Sequence, residues 1–240
     1  MIEVVELEKK FGNFTAVDRI SFKVSKGEIF GLLGENGAGK TTTLRMLSTM
    51  LRPTSGYAVL KGYDTQKEPE MVRTHIGILF GGETGLYDRL TAAENIEYFG
   101  ELNGMSKAAI KERTSQLSQA FGMKDFMDKR ASKLSKGMKQ KAAFARSIVH
   151  DPDIMLFDEP TSGLDVTAAR DVHEFILGCK EQGKTIIFSS HSMGEVEKLC
   201  DRVGLIHKGK LVECGTVNEL KAKYENDDLE EIFIRLAGAK

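Results

Sequence analysis

The chain has no tryptophan, four prolines and three cysteines among its 240 residues. Cys179, Cys200 and Cys214 are odd in number and never stand at a C-x-x-C spacing, which argues against a disulfide framework or a zinc site and suits a reducing compartment. Charge of one sign is also missing. Lys and Arg total 34 against 35 Asp and Glu, a net charge of -1, so the broad basic footprint of a nucleic-acid-binding protein is absent and no nucleic-acid partner is expected. No stretch approaches the ~18 consecutive apolar residues that cross a bilayer as a helix. The first residues, Met1-Ile-Glu-Val-Val-Glu-Leu-Glu8, carry acids where a secretory leader carries Lys or Arg. A soluble chain is expected, serving any membrane process from outside the lipid.

What is present is ample apolar material, 41% of the residues, enough for the core of one large domain or of a domain with an inserted part. Residues 2–33 read as strands: Ile2, Val4 and Val5 come first, Ile20, Phe22 and Val24 alternate with polar neighbours, and Ile29–Leu33 is a short apolar run. A helical pattern follows through Leu51, closed by Pro53 and Gly56. From about 88 to 150 the pattern turns helical. Thr91-Ala-Ala-Glu94 has the spacing of a capping box, a second helix from about Ser106 carries Ile110, Leu117 and Phe121 before Gly122, and a third starts after Ser135 with Ala142, Phe144, Ala145, Ile148 and Val149. Strand–helix alternation returns with Ile154–Phe157, a helix over 165–180, Thr185–Phe188, a helix over 193–200, and Val203–His207 and Leu211–Cys214 around a Lys208-Gly-Lys210 turn. This predicts an α/β fold, a largely parallel sheet with helices on both faces and an inserted helical subdomain. Leu229, Ile232, Phe233 and Leu236 mark one apolar stripe of a C-terminal helix, expected to pack on its own domain.

Three segments carry chemistry. Gly34-Glu-Asn-Gly-Ala-Gly-Lys-Thr41 follows an apolar strand, precedes a helix and fits G-x-x-x-x-G-K-[ST], a loop whose backbone N–H groups and helix N-terminus cradle a polyphosphate. Lys40 is the side chain to reach the β and γ phosphates, and the Thr41 hydroxyl is a candidate Mg²⁺ ligand. Ile154-Met-Leu-Phe-Asp158-Glu159 ends a buried strand on two carboxylates, where open α/β sheets bind ligands. Asp-Glu after a strand is ordinarily a solvated turn. Beside a phosphate loop it supplies a metal anchor, Asp158, and a base for water, Glu159. Leu134-Ser-Lys-Gly-Met-Lys-Gln-Lys141 opens a helix on Ser135 and reads alone as a capped helix start. With the other two segments it becomes a second anion-binding end without a phosphate of its own, as needed if it faces a nucleotide held by another copy.

In this order, with Ser162-Gly-Leu-Asp165 and His191 following, the segments resemble the nucleotide-binding domain of ABC transporters over nearly the whole chain. The resemblance implies a P-loop NTPase, RecA-like core with an N-terminal antiparallel β part. Residues 1–87 and 151–220 would form that core, about 88–150 the helical subdomain and about 221–240 a C-terminal helical tail. It implies an ATPase whose cofactors are ATP and Mg²⁺. Phe11 then stacks on adenine and Val17 flanks it; Gly34, Glu35, Asn36, Gly37, Ala38, Gly39, Lys40, Thr41 and Thr42 hold the phosphates. Ser135, Lys136, Gly137 and Met138 complete the site of a second copy. Asp165 communicates across the dimer, and His191 contacts the γ phosphate. The implied partner is an integral-membrane permease, with the chain at the inner face of the cell membrane as a homodimer in the ATP state.

Two departures stand out. Ser135-Lys-Gly-Met138 replaces the common Ser-Gly-Gly-Gln, and Met138 lacks the hydrogen bonds of a Gln side chain. In Ile76–Gly85, read as the loop leading into the helical subdomain, the usual Gln falls on Gly82 or Gly81, with Glu83 beside it and no Gln in the loop. The wording Phe80-Gly-Gly-Glu-Thr-Gly-Leu-Tyr-Asp-Arg-Leu90, with Ser135-Lys-Gly-Met and Phe188-Ser-Ser-His191, is similar to the ATP-binding subunits of NatA-type sodium-extrusion transporters. That points to Na⁺ export, with an exporter of drug, lipid or polysaccharide as the alternative. A DNA- or ribosome-directed ABC ATPase typically fuses two cassettes or inserts long coiled coils, and this chain has neither. Intact Asp158-Glu159 counts against a non-hydrolysing scaffold. A GTPase or small kinase leaves Ser135–Met138 and His191 unexplained.

Overall fold

The N-terminal alternation becomes a long hairpin in which β1 (Ile2–Phe11) pairs antiparallel with β2 (Phe14–Val24) and turns at Gly12, φ +56°. Its inward residues Ile2, Val4, Leu7, Val17, Ile20 and Val24 are buried. The computed structural model describes residues 1–80 and 85–238. Chain order continues with β3 (Ile29–Leu33), α1 (Lys40–Leu47), β4 (Ser55–Leu60), β5 (Tyr63–Asp64), α2 (Pro69–His75) and β6 (Ile76–Leu79). Next come α3 (Ala92–Leu102), α4 (Lys107–Ala120), two 3₁₀ turns at Lys124–Phe126 and Ala131–Lys133, and α5 (Lys136–Ser147). The last part holds β7 (Ile154–Asp158), α6 (Val166–Glu181), β8 (Thr185–Ser190), α7 (Met193–Leu199), β9 (Arg202–His207), β10 (Lys210–Gly215), α8 (Val217–Tyr224) and α9 (Leu229–Gly238).

One sheet is antiparallel, in the order β2-β1-β4-β5. The other runs β10-β9-β3-β8-β7-β6, parallel except for the β9–β10 hairpin. Every residue of β3, β7 and β8 is buried, which is why each carries an apolar run (Ile29–Leu33, Ile154–Phe157 and Ile186–Phe188): helices or the first sheet cover both faces of the parallel sheet. The loops after β3, β7 and β8 therefore emerge side by side at one edge, where the chemistry collects.

Helices α3 to α5 follow from their caps. Thr91 and Glu94 exchange both capping-box hydrogen bonds, and Ser106 and Ser135 each accept from the backbone N–H three residues on. A cluster of aromatic rings joins this segment to the parallel sheet. Phe121 and Phe144 each pack on Phe175 of α6, and Phe144 lies 4.5 Å from Phe157 of β7. In α9, Leu229, Ile232 and Phe233 are buried and Leu236 packs against the same core, so the stripe serves its own domain.

Two expectations differ from the structure, and three elements were not foreseen. The helix after the phosphate loop stops at Leu47 rather than running to Leu51: Thr49 turns left-handed at φ +64°, and Pro53 disfavours helix at the residue before it. Ile76–Leu79, read as part of a loop, is the edge strand β6, parallel to β7. Strands β4 and β5 and helix α2 escaped the sequence reading because they are short and only partly buried; in β4 the inward residues are just Ala58 and Leu60.

Candidate active site

The phosphate loop is shaped by close backbone approach. A Cβ on Gly34 would lie 2.2 Å from the Ile206 carbonyl oxygen, and Gly39 combines φ +111° with a Cβ position 2.6 Å from the Ala16 oxygen. Helix α1 starts on Gly39 with no side-chain cap, unlike α3, α4, α5, α6 and α8, whose caps are Thr, Ser, Ser, Asp and Thr, and it has no acid in its first turn. Its N-terminal N–H groups and dipole are thus left for an external anion.

Lys40 is buried at 5% exposure, and its ammonium donates to the carbonyls of Gly34 (2.6 Å) and Glu35 (3.1 Å). Burial lowers its pKa, while Glu159 and Asp158 pull the other way. The Thr41 hydroxyl donates to Asp158 Oδ2 at 2.8 Å, and Ser189 donates to Asp158 Oδ1 at 2.5 Å. A hydroxyl and a carboxylate in contact form a hard-oxygen pair that suits Mg²⁺, an ion that takes few protein ligands and keeps its remaining positions for water and phosphate. The residues present therefore fit that metal.

Glu159 has φ +47°, rare for a residue with a side chain and rarer before proline, at a cost of about 1–3 kcal/mol. Its N–H meets both the carbonyl and the hydroxyl of Ser189 at 3.1 Å, and its carbonyl accepts from Ser162. One carboxylate oxygen, Oε1, lies 3.2 Å from His191 Nδ1 and 3.8 Å from Lys40 Nζ. Lys40, Thr41, Asp158, Glu159 and His191, far apart in the chain, thus converge at one edge of the sheet.

A cavity of about 260 Å³ opens here, lined by Phe11, Phe14, Ala16, Asn36, Gly37, Gly39, Lys40, Thr41, Thr42 and Glu159. It is slightly smaller than the ~300–1,000 Å³ of ligand pockets. Phe11 lies at its rim, half-exposed. Val17 does not line it: that side chain is buried, and Ala16 lines the cavity instead. Gly34, Glu35 and Ala38 shape the loop without lining the cavity. Phe14 was missed by the sequence reading. It pairs with Phe11 across the Gly12-Asn13 turn and is 64% exposed, and a Phe-Gly-Asn-Phe hairpin is the signal that would have found it.

Residues 135–138 do not line this cavity. Ser135 accepts from Met138 N–H at 3.3 Å and caps α5, Ser135 and Lys136 are exposed, Gly137 is half-buried, and the Met138 side chain packs against the core. The Lys136 ammonium lies over Gly163, while Asp165 caps α6 by accepting from Ala168 N–H at 2.8 Å. Two further links were not anticipated. Gln140 donates to the Pro160 carbonyl, tying α5 to the residue after Glu159, and Lys141 pairs with Asp171 at 2.7 Å. Gly81, Gly82 and Glu83, where the missing Gln belongs, lie outside the described residues; Gly85, just beyond, accepts a hydrogen bond from Arg146, whose guanidinium lies 4.4 Å from the Phe99 ring centroid.

A phosphate loop, a strand ending in Asp-Glu and a histidine at the next strand's end, over this sheet order, define an ATP-binding cassette. Comparison agrees. Residues 17–162 match the model of the ABC transporter family. The chain is 49% identical to the ABC transporter ATP-binding protein NatA of Bacillus subtilis (strain 168), over 98% of this chain and 97% of that one. It is 42% identical to the probable multidrug ABC transporter ATP-binding protein YbhF of Escherichia coli (strain K12), covering 98% of this chain but 41% of that longer protein. A solved ATP-binding subunit of an ABC transporter superposes with a TM-score of 0.91 at 27% identity, over 98% of this chain and 99% of that one. The chain belongs to the ABC transporter family, as an ATP-binding subunit and an ATPase.

Proposed function

We propose that this chain hydrolyses MgATP as one half of a head-to-tail pair and drives a separate integral-membrane permease that exports Na⁺. The observation that carries the hydrolytic part is the approach of Glu159 to His191 and Lys40 beside the Thr41–Asp158 pair. Phe11 stacks on the adenine, and Gly34–Thr42 with the α1 N-terminus hold the phosphates. Thr41 and Asp158 would hold Mg²⁺, which would neutralise phosphate charge when bound. Glu159 accepts the proton of the attacking water, and Lys40 and His191 stabilise charge on the transferring phosphoryl group.

Pairing is supported by what the site lacks. Its cavity is open, and Ser135–Met138, at the N-terminus of α5, does not line it among the described residues. In a pair, ATP on one chain meets Ser135–Met138 of the other, and Asp165 lies at the junction. Residues 1–87 and 151–220 act as the nucleotide-binding core, about 88–150 as the helical subdomain that carries movement to the permease, and about 221–240 as a tail. No helix among the described residues is long and apolar enough to cross a membrane, which suits a subunit held at the inner face of the cell membrane by its permease.

The Na⁺ assignment rests on the wording of Phe80–Leu90, Ser135–Met138 and Phe188–His191, and on the full-length similarity to NatA. The relative named as a probable multidrug transporter supports export of another substrate as the second reading. The test is ATP-dependent ²²Na⁺ uptake into inverted vesicles holding the chain and its permease. Uptake that disappears with Lys40→Ala supports Na⁺ export. Vesicles that concentrate a cationic dye but no ²²Na⁺ would move the assignment to the second reading.

A further inference from the structure

Glu195, in α7, takes no part in the site described above, yet it is a buried carboxylate at 8% exposure with three partners, from the loop after β7, from α6 and from β8. Its Oε1 accepts from the Thr161 hydroxyl at 2.7 Å and lies 2.9 Å from His173 Nε2 of α6; its Oε2 accepts from the Ser190 hydroxyl at 2.6 Å. Ser190 in turn accepts from Ser192 N–H at 3.0 Å. Thr161 is two residues beyond Glu159, and Ser190 immediately precedes His191. A closed ring results: Glu159 runs through Pro160 to Thr161, across Glu195 to Ser190, along the chain to His191, and back to Glu159 over 3.2 Å. Taking a carboxylate out of water is unfavourable unless its oxygens are hydrogen-bonded, and here both are used to hold these two loops. The left-handed backbone of Glu159 also persists only where its surroundings over-determine it, and Thr161 lies on the far side of that turn from Ser189.

We propose that Glu195 is a positioning residue for ATP hydrolysis: through Thr161 and Ser190 it sets the separation of Glu159 from His191. This rests on the reading of Glu159 as the base. Glu195→Ala releases both loops while leaving Gly34–Thr42 untouched, so hydrolysis falls and ATP binding stays. A misplacement of about 1 Å costs on the order of 10²-fold in rate.

The test is single-turnover hydrolysis of MgATP by excess full-length chain, beside the affinity for a fluorescent ATP analogue and the melting temperature. Glu195→Ala is expected to slow turnover by roughly 10- to 100-fold at unchanged affinity, and Glu195→Gln, which keeps shape and an acceptor, to recover most of the loss. In a Glu159→Gln background the same change should add less than about 2-fold, because both act on one step. Parental turnover in Glu195→Ala, or losses that multiply with Glu159→Gln, would overturn the proposal. Should Glu195→Ala fail to fold, Thr161→Val and Ser190→Ala remove one arm each: slowed turnover at unchanged affinity supports the brace, and parental rates in both contradict it. Parental turnover in Glu159→Gln alone is a separate result, and it would overturn the underlying assignment of the base.

Discussion

The Thr41 hydroxyl lies 2.8 Å from Asp158 Oδ2, joining the first residues of α1 to the end of β7 across 117 positions of sequence. Each partner is a candidate ligand of one Mg²⁺, so loss of either carboxylate charge or hydroxyl should weaken nucleotide binding only when the metal is present. Asp158→Asn, which keeps the shape and the Ser189 contact, is expected to lower MgATP affinity by about 10- to 100-fold. Affinity in EDTA should change little. Calorimetric titration in both buffers checks this, and equal losses in the two would remove Asp158 from the metal site.

Gly34→Ala tests the geometry of the phosphate loop. The added methyl meets the Ile206 carbonyl at 2.2 Å, a backbone atom that cannot swing aside. Overpacking of this kind costs about 1–3 kcal/mol, and each kcal/mol lowers the melting temperature of a chain of this size by about 2–4 °C. Melting curves and ATP affinity should fall together. An unchanged melting temperature would mean that β9 and the loop are further apart than described.

His150 gives the fold a pH dependence. Its Nε2 lies 3.1 Å from the Ile76 oxygen, Nδ1 has no partner among the described residues, and burial lowers its pKa below the ordinary 6.5. Below pH 6.5 the unfolded chain takes up a proton that the folded chain resists, so stability declines as pH falls through the window down to the lowered folded pKa. Above 6.5 the group contributes no slope. Urea unfolding at pH 7.5 and 5.5 should show a smaller acid loss in His150→Gln than in the parent; equal losses would clear His150 of the effect.

The cysteines should be inert in the native chain. Burial pushes the Cys179 thiol up to about 12 and the Cys200 thiol well above its usual range, so almost no thiolate exists at pH 8. Cys214 is raised as well, also by burial. Ellman's reagent should react slowly with the folded chain and promptly with all three thiols in guanidinium. Fast native labelling at Cys179 or Cys200 would contradict the packing around α6 and α7.

Much of this was legible in the sequence because it is local. The glycine spacing of 34–41, the caps at Thr91, Ser106 and Ser135, and the apolar runs of β3, β7 and β8 each depend on neighbours within a few residues. What escaped depends on long-range partners. Strands β4 and β6 are short and take their strand character from β1 and β7. Ala16 rather than Val17 lines the cavity because the register of β2 turns Val17 inward against Gly39. Phe14 was hidden by its pairing with Phe11, and the brace of Thr161, His173, Ser190 and Glu195 has no spacing that a linear reading can detect.

In the proposed function Glu159 is the base for ATP hydrolysis, in a site completed by a second copy. The most direct measurement is size-exclusion chromatography of Glu159→Gln with and without MgATP, beside phosphate release by the parent chain. An ATP-dependent shift from monomer to dimer is expected in the variant, with hydrolysis slowed by ~10²–10⁴-fold relative to the parent, the range for losing a general base. A variant that stays monomeric with ATP bound, or one that turns over at the parental rate, would contradict it.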